Sequence, residues 1–239
     1  MKFRNRIVVL LMLSCALTWA ISANARGKKL SFDDTRDVVR LKKALAKGAD
    51  VNAKDEQGNT PLINCAYDAY FGNKKIGIAK TLIAHGADVN ARNNGGYTVL
   101  MIAALNDWPK FMNLLLQKGA KIEARDNEGK TALLHAAGGV MTEIGTMLSV
   151  PESVRYLLRK GANVNARDKN GQTALILAAK ADSYDEGHRE AALESVELLL
   201  KSGADANAKS KNGNITLNWA IVRRHLGIVK LLRARGITK

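Results

Sequence analysis

The side chains best suited to catalysis or metal binding are the histidines and the acidic residues near one of them. The histidines are spread along the chain as His85, His135, His188 and His225. The sequence has no His-Glu-x-x-His pair, Cys-x-x-Cys pair, Gly-x-Ser-x-Gly turn or phosphate-binding loop. Asp185, Glu186 and His188 are close enough in sequence to bind a cation, but acidic loops carry such clusters by chance. We therefore expect no catalytic residue, no metal site and no cofactor.

A five-residue pattern, Gly-Ala-Asp-Val-Asn, stands at Gly48 and Gly86 and sets the organisation of the chain. Degenerate copies begin at Gly119, Gly161 and Gly203. A signature such as Thr60-Pro61-Leu62 follows every copy at one constant distance, and its other forms begin at Thr98, Thr131, Thr173 and Ile215. Such self-similarity indicates one supersecondary unit stacked on copies of itself, which offers a long binding surface and no obvious catalytic cleft.

These patterns predict two helices and a finger in each unit. Val154, Leu157 and Leu158 have the spacing of a helix with one buried face. Gly161 ends that helix because glycine accepts a left-handed backbone conformation. Turn-forming residues, such as those at 126–129, then predict the tip of a β-hairpin finger. The threonine that follows caps a second, inner helix.

The Thr-Pro-Leu signature, closing a unit of about 33 residues, resembles the ankyrin repeat over roughly residues 31 to 239. The resemblance implies an all-α repeat solenoid of helix–turn–helix units with β-hairpin fingers. It would contain about five repeats and an N-terminal half-repeat cap. Within a domain at 26–239, we expect the half-repeat at 31–55 and repeats at 56–93, 94–126, 127–168, 169–210 and 211–239, the last of them a C-terminal cap.

Both ends of the repeat array carry cap signatures. Ser31 to Asp34 read as a capping box before a single helix. Arg233 replaces the leucine of earlier repeats (Leu45, Leu116, Leu158 and Leu200), as suits a helix with no following neighbour. Cys65 takes a position that is alanine in other repeats, so we expect it to be a small buried residue.

Longer steps between the glycines place insertions between the inner and outer helices. Two adjacent insertions, at 138–150 and 180–192, should stack into one lip, and the second is compatible with a lengthened outer helix. The lip is interpreted either as a second contact site or as tolerated surface, and the latter is favoured.

Residues 1–25 resemble a secretory signal peptide, with three basic residues, an apolar core at 7–21 and a small-x-small site at Ala23-Asn24-Ala25. We expect cleavage after Ala25 and export, most simply to a bacterial periplasm. The alternatives are an uncleaved anchor and, less favoured, a lipoprotein signal at Cys15. Cleavage would leave Cys65 as the sole cysteine, so no intramolecular disulfide could form.

The net charge of the chain is +15, and +12 without residues 1–25. Residues 201–239 carry nine Lys or Arg and one acidic residue. This basic end would attract anionic partners, although it also suits a merely solvated cap. An anionic membrane surface is the alternative partner, with the candidate binding residues Arg223, Arg224, Lys230, Arg233 and Arg235. No base-reading or stacking motif indicates nucleic acid.

In ankyrin-like folds the usual partner surface is concave and built from finger ends and inner helices. Carried over by register, the resemblance implies that the protein-binding residues are Tyr97, Ile102, Lys130, His135, Leu177, Lys180, Trp219 and Arg223. Exposed aromatic and apolar side chains with a polar rim are typical of an interface hot spot. Half-buried packing is the alternative interpretation for some of them.

Two further observations concern the fingers. The family's usual histidine three positions after the threonine is replaced here by Ile63, Met101, Leu134, Ile176 and Asn218. The fingers would then be held by packing. A basic residue also recurs along them, as Lys54, Arg92, Arg125, Arg167 and Lys209. Pairing with Asp55, Asp126 and Asp168 is favoured over an anion track.

The sequence as a whole predicts a non-catalytic protein–protein interaction module of the cell envelope. Its partner would be another protein, acidic if the basic charge contributes, bound by a monomer through the concave face. The alternative is an electrostatic binder of an anionic envelope surface or lipid. An enzyme is the least favoured hypothesis, because no catalytic constellation supports it.

Overall fold

The computed structural model describes residues 28–30, 35, 37–67, 72–141, 147–148, 151–181 and 186–238. The predicted signal peptide at 1–25, the capping box at 31–34 and Asp185 of the candidate cation cluster lie outside these residues, as does most of the first insertion.

The chain divides into two compact units, and the first spans Met1–Asn94. Its described elements are β1 (Lys28–Lys29), α1 (Val38–Ala46), β2 (Ala49–Asp50), α2 (Pro61–Tyr67) and α3 (Gly72–Ala84). Strands β1 and β2 pair in parallel, with Lys28 opposite Ala49. Helix α3 packs against both α1 and α2. Leu41, Leu62 and Leu82 are fully buried in this unit.

The second unit spans Gly95–Lys239 and contains four helix pairs among its described residues. The inner helices are α4 (Val99–Leu105), α6 (Ala132–Gly138), α8 (Ala174–Lys180) and α10 (Thr216–Val222). The outer helices are α5 (Pro109–Gln117), α7 (Pro151–Arg159), α9 (Glu186–Lys201) and α11 (Leu226–Ala234). Each inner helix packs on the inner helix of the next repeat, and successive outer helices also pack together.

Local hydrogen bonds explain where the inner helices begin. The hydroxyl oxygens of Thr98, Thr131 and Thr173 each accept the backbone N–H three residues later. This satisfies one of the free donors of a helix start, as predicted. The last inner helix differs, because Asn218 Oδ1 accepts the N–H of Ile215 at 2.9 Å instead.

Each finger closes on itself and then contacts the next one. In the finger at 126–130, the N–H of Asp126 donates to the carbonyl of Lys130 at 3.0 Å. The tip of this finger accepts a bond from the next finger, from Lys169 N–H to Glu128 O at 2.9 Å. Gly129 has φ +78°, and a Cβ there would lie 3.1 Å from the Lys169 nitrogen. Glycine is therefore required at this tip for both conformation and close approach.

The repeated helix pairs confirm the predicted fold class, an all-α repeat solenoid with fingers. Cys65 is 2% exposed, which confirms its assignment to the core. The first long insertion forms two short strands, β3 (Val140–Met141) and β4 (Met147–Leu148), which pair antiparallel. The second lengthens α9 to 16 residues, against nine in α7. Strand β4 lies close to α9, so the two insertions are adjacent as expected.

Within the part of the chain that the structure describes, no helix has the length and apolarity needed to cross a membrane.

Candidate functional site

The predicted partner face lies wholly in the second unit, and the structure divides its eight residues into two groups. Tyr97, Lys130, Lys180, Trp219 and Arg223 are half-buried and form what we call the inner face. Ile102, His135 and Leu177, by contrast, are only 1%, 6% and 5% exposed. The expectation that Ile102, His135 and Leu177 are exposed on a partner surface was therefore wrong, whereas Tyr97 and Trp219 keep part of their rings accessible.

Packing between neighbouring inner helices explains why these three side chains are buried. Each stands in an inner helix that packs on the inner helix of the next repeat. His135 lies beneath its own finger, where Nε2 is 2.8 Å from Asp126 Oδ2. The Tyr97 ring covers it, with ring centroids 4.9 Å apart. His135 is thus a structural residue that supports Tyr97 from below.

One contact across the inner face joins two successive inner helices. Lys180, at the end of α8, places its Nζ 4.8 Å from the centre of the Trp219 ring on α10. A cation over an indole face is attracted by the ring's electron density. Because both side chains remain half-buried, the pair presents an aromatic surface and a positive charge together.

At the finger end of the inner face, Lys130 and Tyr97 lie near acidic groups. Lys130 Nζ is 2.8 Å from Glu128 Oε2. Burial acts to lower the pKa of Lys130, but the hydrogen bond and charge of Glu128 outweigh it, so that pKa is raised. Burial, with the charges of Asp126 and Glu128, raises the pKa of the Tyr97 phenol. Lys130 therefore stays cationic and Tyr97 neutral at neutral pH.

Beneath the face, corresponding carboxylates in two neighbouring fingers have different surroundings. Asp126 Oδ1 accepts the N–H groups of Glu128 and Lys130, and Oδ2 pairs with His135. Burial acts to raise the pKa of Asp126, but these bonds and the His135 charge outweigh it, so that pKa is lowered.

The next finger lacks the partner for the second carboxylate oxygen. Asp168 Oδ1 accepts the N–H groups of Asn170 and Gln172. Its Oδ2 is buried with no hydrogen-bond partner, and so is Gln172 Oε1. Leu177 stands where the preceding repeat has His135, which explains why no donor reaches Oδ2. A buried acceptor without a donor is costly.

Three of the recurring basic residues along the fingers, Lys54, Arg125 and Arg167, bind carbonyl groups of the next finger. Arg125 Nη1 donates to Gly129 O at 2.7 Å and to Arg167 O at 2.6 Å. Arg167 Nη1 repeats the arrangement with Gly171 O at 3.2 Å and Lys209 O at 2.7 Å. In the first unit, Lys54 Nζ donates to Arg92 O at 2.8 Å. The expected pairing of these cations with Asp55, Asp126 and Asp168 was therefore wrong.

These bonds also correct the expectation that packing alone would hold the fingers. The recurring asparagine of the five-residue pattern adds a second connection between repeats. Asn165 Nδ2 donates to Gly203 O at 3.2 Å, and its Oδ1 accepts the N–H of Asp205 at 2.8 Å. Asn52 makes the same two contacts in the first unit, to Gly86 and Asp88. The recurrence of asparagine at this position was the available sequence signal.

Among the other histidines singled out in the sequence, His225 has a structural role. His225 is 2% exposed, and its Nε2 lies 2.8 Å from Ala181 O, so it joins the last helix pair to the preceding repeat. Across the residues that the structure describes, no three His, Cys, Asp or Glu side chains converge on a metal position.

The predicted anion-binding residues lie on the last helix pair. Arg224, Lys230, Arg233 and Arg235 are exposed, whereas Arg223 is half-buried and belongs to the inner face. Sequence reasoning missed the apolar side chains beside them. Ile221, Val222 and Leu226 are 49%, 69% and 78% exposed around the turn between α10 and α11.

Comparison with known proteins gave one finding. A family model described as ankyrin repeats (3 copies) matches residues 34–126, 69–148, 124–191 and 147–239, which together cover most of the chain. A search of curated proteins found no match.

Proposed function

This chain belongs to the ankyrin-repeat family, and on that premise we propose that it is a non-catalytic module that binds an acidic partner protein through the inner face of its second unit. Ankyrin repeats generally mediate protein–protein interaction. The proposal adds which face binds and what kind of surface it fits.

The observation that carries the proposal is the Lys180–Trp219 pair. Its cation and indole ring are 4.8 Å apart, on two successive repeats, and both are partly accessible. Tryptophan and tyrosine supply much of the binding energy at protein interfaces when a partner completes their burial. Tyr97 offers a second such ring, held from below by His135.

The charge of the inner face favours an acidic partner. Lys130, Lys180 and Arg223 contribute three cations, and Glu128, paired with Lys130, offsets one of them. Positive charge on both sides of an aromatic anchor would accelerate association with an acidic surface and orient it. Each repeat contributes its part of the face, so recognition would extend over several repeats.

We further propose that the protein acts in the cell envelope, with export directed by residues 1–25. The support is the basic start, short apolar core and small-x-small site of that segment. An exported binding module could support an envelope enzyme or neutralise a toxin. Identification of the partner is needed to decide between such roles.

The direct test is affinity capture from cell-envelope extract, followed by mass spectrometry. The parent protein is compared with the double variant Tyr97→Ala/Trp219→Ala. Tyr156→Ala is the matched control, because Tyr156 is a half-buried aromatic residue on outer helix α7. Circular dichroism and thermal melting establish that each variant is folded.

We expect a protein that the parent and the Tyr156→Ala control retain and that the double variant loses. That protein, once purified, should bind the parent less tightly as the salt concentration rises, because long-range charge attraction is screened. Equal retention by all three proteins, or no specific protein, would refute binding through the inner face.

A further inference from the structure

The turn between the last two helices carries an unusual combination of exposed side chains. Ile221 and Val222 end α10, and Leu226 begins α11; they are 49%, 69% and 78% exposed. Arg224, at the centre of the turn, is also exposed. Three large apolar side chains within six residues form a patch of the kind that marks an interaction site.

Hydrogen bonds and burial hold this turn in one conformation. The N–H of Arg224 donates to Ile221 O at 3.0 Å, and the N–H of His225 donates to Ala220 O at 2.9 Å. Arg224 has φ +57°, and the buried His225 ring fixes the turn to Ala181. The apolar side chains are therefore presented outward by an ordered turn.

Comparison with an earlier repeat shows that Ile221 departs from the pattern at its position. Ile221 corresponds to Ala104 on α4, which is fully buried because α4 packs on α6. In the last repeat, a small buried alanine is thus replaced by a large residue that is half exposed. A large, half-exposed apolar residue at this position is suited to contact with another molecule.

The chain segment that contains the turn carries only positive charge. Residues 206–239 contain eight Lys or Arg and no Asp or Glu. Arg224, Lys230, Arg233 and Arg235 are exposed and, among the described residues, have no carboxylate partner. This density of cations opposes docking of a second copy through the same surface, because like charges would meet.

We propose that this C-terminal surface, made of Ile221, Val222, Leu226 and the four cations Arg224, Lys230, Arg233 and Arg235, docks on an anionic phospholipid bilayer. The apolar side chains enter the boundary between headgroups and acyl chains, and the cations bind lipid phosphates. Interfacial binding draws on both contributions. A fluid bilayer accepts a protruding turn, whereas a protein would need a matching pocket. The surface shares no residue with the inner face, so substitutions can test the two binding functions one at a time.

The test is co-sedimentation with lipid vesicles. The protein is purified in the form in which cells produce it. Vesicles of phosphatidylglycerol and phosphatidylcholine in equal parts are compared with pure phosphatidylcholine. We expect binding to the anionic vesicles only. Val222→Ser/Leu226→Ser should weaken it about tenfold, because apolar burial is lost. Arg224→Gln/Lys230→Gln should weaken it about fivefold for each charge removed.

Matched controls lie on α1 and at the residue that follows it, in the first unit. Val39→Ser removes an apolar side chain that is 77% exposed, and Lys42→Gln/Lys47→Gln removes two exposed charges. Both should bind as the parent does, and melting curves confirm that all variants fold. Failure to bind anionic vesicles would overturn the proposal. So would equal losses in the controls, no effect of the serine pair, or binding to poly-glutamate without binding to vesicles, which would indicate an acidic protein instead.

Discussion

Arg125 reaches from its own finger to the backbone of the next, where its Nη1 lies 2.6 Å from the carbonyl oxygen of Arg167. The same nitrogen binds Gly129 O, at the tip of its own finger, at 2.7 Å. Arg167 then does the same one repeat later, with Gly171 and Lys209. The fingers of the second unit are thus joined in series by guanidinium groups that bridge two carbonyls each.

We expect Arg125→Ala to lower the free energy of unfolding by about 1 kcal/mol. A hydrogen bond from a charged donor contributes more than a neutral one, but solvent around this exposed side chain reduces the gain. Arg125→Lys should lose about half as much, because lysine at the corresponding position, Lys54, reaches the next finger with one bond. Urea unfolding followed by circular dichroism measures both.

The control for this prediction is Lys169→Ala, on an exposed fingertip residue whose backbone, not its side chain, binds the neighbouring finger. Its stability should match that of the parent. If Arg125→Ala also matches the parent, the bridges do not stabilise the fingers.

Replacing corresponding aspartates in two successive fingers should have different effects. Asp126→Asn should cost about 2 kcal/mol of folding free energy, because the bond from the buried His135 to a carboxylate is lost. Asp168→Asn should change stability by less than about 0.5 kcal/mol or raise it, because Oδ2 has no donor there. Its new amide could also donate to the unpaired Gln172 Oε1. Thermal and chemical unfolding of the two variants tests this difference.

A mutant cycle strengthens the comparison. His135→Leu places a leucine beside the finger carboxylate, as Leu177 does in the next repeat. This substitution should destabilise the parent protein. It should have a smaller effect in the Asp126→Asn variant, where the bond to the carboxylate is already lost. Equal costs for the two asparagine variants would contradict this account of the finger carboxylates.

The lowered pKa of Asp126 predicts a loss of stability in acid. In the unfolded chain this carboxyl has a pKa of about 3.9, and folding lowers it. The native state therefore binds the proton less readily, so its contribution is fully present above about pH 4. It is lost as the pH falls through the folded pKa. Between pH 5 and pH 3, the stability difference between parent and Asp126→Asn should shrink; a constant difference would be inconsistent with the shift.

Features of the fold that a repeated local pattern determines were predicted correctly from the sequence. Gly161 adopts the left-handed conformation, with φ +83°, after its helix. Thr131 and Thr173 cap inner helices, and Cys65 is buried like the alanines it replaces. Each of these features depends on the conformational preference or the side-chain size of one residue. Alignment of the repeats is enough to identify that residue.

The features that were missed depend on distances between repeats. Ile102 and Leu177 hold positions typical of a partner face, but close packing of inner helices buries them. The partner of Arg125 is a carbonyl 42 residues away, which residue types along one finger cannot indicate. The short β3–β4 pairing likewise depends on the register between strands within an insertion.

The Lys180–Trp219 pair makes a final prediction that can be tested before any partner is known. Because a cation lies over an accessible indole, iodide should quench Trp219 fluorescence more strongly than caesium does, at equal ionic strength. Lys180→Gln should reduce the difference, since the nearby positive charge no longer concentrates the anion.

Lys118→Gln, on an exposed residue of the second unit outside the inner face, serves as the control and should behave as the parent does. Trp108 is 9% exposed and contributes little to quenching in any of these proteins. Trp19 lies in the predicted signal peptide, so all of them are prepared without residues 1–25. Equal iodide quenching of the parent and Lys180→Gln would mean that the two side chains are not stacked in solution, and the aromatic anchor proposed for the inner face would then lack its cation.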